Sequence, residues 1–306
     1  LGWGLCPARN PRFETVYVTI LAIGAEILKG RTLNSTARYI SQALYAAGFG
    51  VREVRTVDDS DPAILGALEE AFRGGKLIIA TGGLGPTRDD VTKSAACRFF
   101  RRELVRDERV MQHLLALFRR MGYDNIPERS LGQALVPEGA TVLHNRRGTA
   151  PGLLLEDTGG LLFLLPGVPL EMQSLLDEEV LPLLKKRFGG AVHRTEVVRT
   201  VGIGESVLAE RIESGLPPGD REYLSYYPSG GQVDVVVAPP PSAVDPDDSV
   251  AARIAEHVAA QADGFVYGRG GRDLFQVAGD ILTAGCQKLA LAEICTGGWL
   301  AKTFTD

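Results

Sequence analysis

The sequence predicts an α/β protein: a doubly wound α/β domain, a small α+β domain behind it, and an incomplete C-terminal α/β segment. Three observations carry this. Short apolar, β-branched runs alternate with amphipathic helical stretches as far as residue 188, the pattern of strands covered by helices on both faces. Beyond residue 189 the strand from Gly231 to Ala238 alternates apolar with polar residues instead, as a sheet with one wet face requires. At 306 residues the chain also exceeds one average domain. The expected division is a disordered leader over 1–15, a first domain over 16–188, a second over 189–268 and a last segment over 269–306.

The stretch from Lys76 to Lys93 organises the first domain. Leu77 to Ala80 reads as a buried parallel strand. Thr81 to Thr87 must turn tightly, because it holds Gly82, Gly83, Gly85 and Pro86. A helix is expected to open at Asp90, with that residue as its N-cap. Strand, glycine loop and helix start in this order make an anion site: first-turn N–H groups and the helix dipole face the loop. Glycine removes the Cβ that would hold backbone away from a phosphate. Asp89 and Asp90 stand at the same place. Carboxylates beside a phosphate repel it unless a divalent cation lies between them, so a metal is expected with the phosphate. Lys93, in the first helical turn, could neutralise a phosphate, but an exposed surface lysine is the default reading.

The remaining elements follow in order. Val16 to Ala22 is the first strand, and Glu26 follows its carboxyl end, where open α/β sheets bind ligands. A helix over 35–47 stops at Gly48. A strand over 51–57 ends in Asp58-Asp59-Ser60, whose acids read equally well as functional strand-end carboxylates or as a turn or cap. Asp61-Pro62 starts a helix over 63–72. Further helices are expected to Phe100, over 107–121 and over 127–135, with a short strand over 141–143. Asn145 to Gly152 is a second polar, glycine-bearing loop. It ends a strand of the same sheet, so it is expected to face the first. Gly152–Leu155 and Leu161–Leu165 pair as a hairpin, and a helix runs from Pro169 to near Leu184. The second domain reads as strands over 194–201 and 231–238, helices over 206–212 and to Ala262, and a short strand at Phe265. The last segment reads helix, strand (Leu289 to Ala292), glycine loop, helix.

Composition excludes several classes. Hydrophobic content of 45% and charged content of 23% are those of a globular protein, and a net charge of -5 argues against nucleic-acid binding through bulk basicity. Cys6, Cys97, Cys286 and Cys295 lack C-x-x-C spacing, which predicts reduced thiols in a cytoplasmic protein. No apolar run approaches the roughly 20 residues of a membrane span. His113, His144, His193 and His257 are scattered without ligand spacing and are expected to be non-catalytic.

Five motifs occur together: Gly24-Ala-Glu-Ile-Leu-Lys-Gly30, Thr81-Gly-Gly-Leu-Gly-Pro-Thr-Arg-Asp-Asp-Val-Thr92, Gly148-Thr-Ala-Pro-Gly152, Leu165-Pro-Gly-Val-Pro169 with Glu171 and Met172, and Gly202-Ile-Gly-Glu-Ser206. In this order, over about residues 16–268, they resemble the CinA (competence/damage-inducible protein A) family. The resemblance implies a MoaB/MogA-like molybdopterin-binding fold for the first domain and a KH-like fold for the second. Gly202-Ile-Gly-Glu-Ser206 is acidic and is not the basic G-x-x-G loop of an RNA-binding KH module. The family implies metal-dependent hydrolysis of a nucleotide pyrophosphate such as ADP-ribose; the same domain type in FAD synthases hydrolyses FAD. The alternative is a non-catalytic module that binds molybdopterin or a nucleotide in competence or the DNA-damage response.

From the strand-end and loop chemistry, Asp90, Asp89 and Glu26 are the expected catalytic residues and are also expected to hold a divalent cation of the Mg or Co class. Thr81, Gly82, Gly83, Gly85, Pro86, Asn145, Gly148, Thr149 and Gly167 are expected at the nucleotide or pterin phosphate. Neither nucleic acid nor membrane is an expected partner; a homo-oligomer is. Two departures thin the acidic surround: Ala25 stands where relatives often have Asp or Thr, and Asn34 where they commonly have Asp. Ala292-Glu-Ile-Cys-Thr-Gly-Gly298 resembles the start of a nicotinamide-nucleotide amidase domain, but Ile294 replaces the usual serine. An isoleucine offers no nucleophile, so amidase activity is expected to be absent.

Overall fold

The computed structural model describes residues 16–87, 90–123, 127–157, 159–189, 195–239 and 248–305. The expected leader and Asp89 fall outside these residues. The chain forms two compact units, residues 1–192 and 193–306.

In the first unit the chain runs β1 (Tyr17–Ile23), α1 (Ala25–Leu28), α2 (Ser35–Ala46), β2 (Gly50–Val57), α3 (Asp61–Gly74), β3 (Leu77–Thr81), α4 (Thr92–Phe100), β4 (Leu104–Arg106) and α5 (Glu108–Arg120). It continues through α6 (Glu128–Leu131), a 3-10 turn, β5 (Leu135–Pro137), β6 (Thr141–Leu143), β7 (Gly152–Asp157), β8 (Gly160–Leu165), α7 (Pro169–Leu175), a π turn and α8 (Leu181–Phe188). A six-stranded sheet carries the unit, in the order β2-β1-β3-β8-β7-β6. β2, β1, β3 and β8 are parallel; β7 and β6 return antiparallel.

Period-two alternation divides the strands between two cores. Leu21, Ile23, Ile78, Ala80, Leu162 and Leu164 pack with Ile64 and Leu68 of α3, Ala95 of α4 and Leu114 of α5. Val18, Ile20, Leu77, Ile79, Phe163 and Leu165 pack on the other face with Ile40 and Leu44 of α2, Met172 of α7 and Leu184 of α8. Both faces being covered, the central strands are mostly apolar, with Thr19 and Thr81 buried among them. Each fully buried Leu or Ile side chain contributes about 1.5–3 kcal/mol.

The second unit holds β9 (Glu196–Val201), α9 (Glu205–Ser214), α10 (Pro218–Arg221), β10 (Leu224–Ser229), β11 (Gln232–Val237), α11 (Asp248–Gln261) and β12 (Val266–Arg269). Its sheet, β10-β11-β9-β12, is antiparallel and buries one face under α9 and α11. β10 is absent from the sequence reading, although Tyr226-Tyr227 before Gly230-Gly231 is a hairpin signal. The unit ends in α12 (Leu274–Ala284) and α13 (Trp299–Thr305).

Three expectations are corrected. Leu289 to Ala292 is not a strand: Leu289 and Leu291 are exposed, and no edge pairs with them among the described residues. The helix expected over 127–135 ends at Leu131, and Leu135 pairs with Arg106 as sheet. The helix after the glycine loop begins at Thr92, with Val91 rather than Asp90 at its N-cap.

Candidate functional site

The carboxyl ends of β1, β3 and β8 meet on one edge of the first sheet, since Ala22 pairs with Thr81 and Thr81 with Leu165. Leu153 pairs with Leu164 and Leu143 with Gly152, so the loop from His144 to Pro151 lies on the same edge. Four segments that the sequence assigned to a ligand therefore gather there: Glu26, the turn from Thr81 to Thr87 with Asp90, the Asn145 to Thr149 loop, and Gly167.

The turns are locked together. The Thr81 hydroxyl donates to the Pro166 carbonyl at 2.8 Å, and the Gly82 N–H donates to Leu165 at 3.0 Å. A Cβ on Gly82, at φ +110°, would collide with the Ile23 carbonyl oxygen, and one on Gly167 would stand 3.3 Å from the Gly82 Cα. The Thr92 hydroxyl donates to Gly82 at 2.9 Å, where a Cβ on Gly83 would strike it. These glycines are thus required by the approach of three turns and a helix start. Thr81 is buried, with its hydroxyl spent inside the protein. The Thr92 N–H binds Gly83 at 3.2 Å, so that first-turn donor faces its own loop.

Asp90 folds back on the turn. One carboxylate oxygen accepts from the Thr87 N–H at 2.8 Å and the Thr87 hydroxyl at 2.6 Å. Gly85 leaves room for it, since a Cβ there would lie 2.7 Å from that oxygen. Pro86 is exposed beside it, and Glu26 is exposed on α1. Asn34, read as a lost acid, caps α2 by accepting from the Ala37 N–H at 3.1 Å. Asp58 likewise holds a turn through the Ser60 N–H at 3.0 Å.

Asn145 is buried and organises its loop. Its carbonyl oxygen accepts from the Arg147 and Gly148 N–H groups at 2.9 and 3.0 Å. Its amide donates to the Ala150 carbonyl at 2.7 Å and to Glu171 at 2.6 Å. Burial raises the Glu171 carboxyl above the usual range, and the Asn145 amide opposes that shift. The Glu171 carboxylate fills the space that a Cβ on Gly148 would need. Glu171 belongs to a motif quoted above but not to the expected site; its signal was an acid in the first turn after a strand end.

Lys93 overturns its reading as a surface lysine. It is buried, and its ammonium donates to the carbonyls of Gly132 at 3.1 Å, Gln133 at 3.5 Å and Leu135 at 2.8 Å. Burial lowers its pKa to about 8, with Asp90 pulling the other way. His113 and His144, read as scattered, stand with ring centroids 4.7 Å apart.

The metal reading rests on Glu26 and Asp90, which follow the neighbouring strands β1 and β3. Among the described residues no three His, Cys, Asp or Glu side chains could hold a metal ion. A Mg-type ion takes one or two carboxylates from a protein and completes its shell with water and substrate phosphates. Glu26 and Asp90 do not make a closed protein cage.

Residues 19–186 match the family described as "Probable molybdopterin binding domain". A CinA-like protein of Kosmotoga olearia is 35% identical over 288 residues, covering 94% of this chain and 69% of that protein. Another, of Chlorobium phaeovibrioides, is 36% identical over 299 residues, covering 95% and 69%. This chain belongs to the CinA-like family. Among solved structures, the CinA protein of Thermoplasma acidophilum, whose function is described as unknown, matches with a TM-score of 0.50 at 32% identity. That match covers 57% of this chain and 99% of the other. The family match spans the six-stranded sheet of the first unit; the antiparallel sheet of the second lies outside the matched residues. No helix among the described residues is long and apolar enough to cross a membrane.

Proposed function

We propose that the first unit binds a nucleotide or pterin phosphate at the carboxyl edge of its sheet and hydrolyses a pyrophosphate of the ADP-ribose type. One observation carries the reading: Glu26, the Thr81 to Thr87 turn with Asp90, the Asn145 to Thr149 loop and Gly167 all end strands on that edge. Ligands of open α/β sheets bind there.

The chain's own residues would divide the work. The turn from Gly82 to Gly85, held by Thr92 and Gly167, presents rigid backbone to the phosphates. Asp90, fixed by Thr87, and the exposed Glu26 would hold the divalent cation. Such a cation offsets phosphate charge and lowers the pKa of a bound water. Asn145 and Glu171 keep the second loop in place. In the reaction, water adds to one phosphorus, the bridging P–O bond breaks, and AMP and ribose 5-phosphate leave.

The test is AMP formation from ADP-ribose by the purified chain, with and without Mg or Co ions, beside Asp90→Ala. Metal-dependent turnover, at least about tenfold slower in the variant, is expected. Tight ADP-ribose binding without turnover under any metal would replace hydrolysis by a binding-module role. The internal engagement of one Asp90 oxygen by Thr87 favours that second reading. Equal turnover in Asp90→Ala would remove that residue from the site.

A further inference from the structure

His113 of α5 and His144, just after β6, meet at a small cavity of about 50 Å³. It is room for a few waters or one small anion. Arg109, Thr149 and Asn145 also line it, and none of its nine lining residues is acidic. The His113 Nε2 is buried and has no hydrogen-bond partner among the described residues. Buried ring nitrogens are ordinarily paired, so this one points to a group from outside the chain. The two imidazole rings stand edge to face, with centroids 4.7 Å apart. Arg109 lines the cavity as well, and its exposed guanidinium pairs with Asp107 at 3.3 Å. Thr149 adds a hydroxyl donor.

We propose that Arg109, His113, His144 and Thr149 form an anion subsite for a phosphoryl group, separate from the Gly82 to Thr87 turn and Asp90. Guanidinium, imidazole N–H and hydroxyl groups are its donors, and phosphate is the small tetrahedral anion they suit. The site does not depend on pyrophosphate hydrolysis, and loss of ADP-ribose turnover would leave it standing.

Imidazole proton–nitrogen NMR on the full chain tests it, with inorganic phosphate as the probe. His113→Gln and His144→Gln assign the two signals. His257, whose Nε2 lies 2.9 Å from the Ile212 carbonyl in the other unit, serves as the internal reference for folding. Phosphate is expected to shift His113 and His144 together, to leave His257 unmoved, and to bind about tenfold more weakly in Arg109→Ala. The paired shifts are expected to persist in Asp90→Ala. A repeat with ADP-ribose separates the sources: shifts with phosphate alone assign the free anion, and shifts with both assign the phosphoryl group of a larger ligand. Unmoved His113 and His144 signals would overturn the proposal. So would an Arg109→Ala titration equal to wild type, or a response to zinc without one to phosphate.

Discussion

Lys93 shows at the residue scale what a lysine does when burial and hydrogen bonding compete. Burial lowers its pKa to about 8, while three carbonyl oxygens accept hydrogen bonds from its ammonium. Lys93→Met would take the ammonium donor from these carbonyls, of which Gly132 keeps the Leu135 N–H, a loss of about 1–3 kcal/mol in urea unfolding at pH 7. The pH dependence has a definite sign. The folded pKa lies below the unfolded one, so between about pH 8 and 10.5 the unfolded chain binds more protons. Stability from this group therefore rises with pH across that window, and the gap between wild type and Lys93→Met should widen there. A constant or shrinking gap would refute the assignment. The sequence could not show this. A lysine in a first helical turn reads as solvated, and its carbonyl partners lie 39 to 42 positions away.

At the scale of elements, the loop after β6 is held by one contact that crosses the chain. Glu171 of α7 receives the Asn145 amide at 2.6 Å, and Asn145 in turn holds Arg147, Gly148 and Ala150. Removing the carboxylate by Glu171→Ala should loosen the loop and speed tryptic cleavage after the exposed Arg146 and Arg147. Glu171→Gln, which keeps a carbonyl oxygen for the Asn145 amide, should be cleaved like wild type. Equal cleavage of all three proteins would show that the loop does not need Glu171. Strands, helices and the glycine turn were legible here because their signals are local: apolar runs, glycines, prolines. The exact start of α4 was not, because Asp90 is recruited by Thr87, three residues before it. The second-unit strand β10 was hidden by its polar, mostly exposed face.

The whole molecule divides into two units with separate apolar cores. Every residue of the candidate edge, and of the two-histidine cavity, belongs to the first. A fragment over 16–189 should therefore unfold cooperatively on its own, as followed by circular dichroism, and keep the ADP-ribose affinity of the full chain. A drop of more than about tenfold would mean that the second unit contributes to binding. Sequence reading placed the candidate residues on strand ends, which follows from alternation alone. It could not pair His113 with His144, since only the antiparallel return of β7 and β6 brings that loop back to α5.

That return has a kinetic consequence. The edge is closed by Thr81 bonding to Pro166 across 85 positions, and long-range parallel pairing is slow because a large loop must be ordered before its contacts form. Helical signal is expected to recover early in refolding, while the ability to capture a nucleotide returns only with the last, slow phase. Stopped-flow refolding with a fluorescent ADP-ribose analogue would show that lag directly; simultaneous recovery of both signals would mean that the crossing forms with the helices.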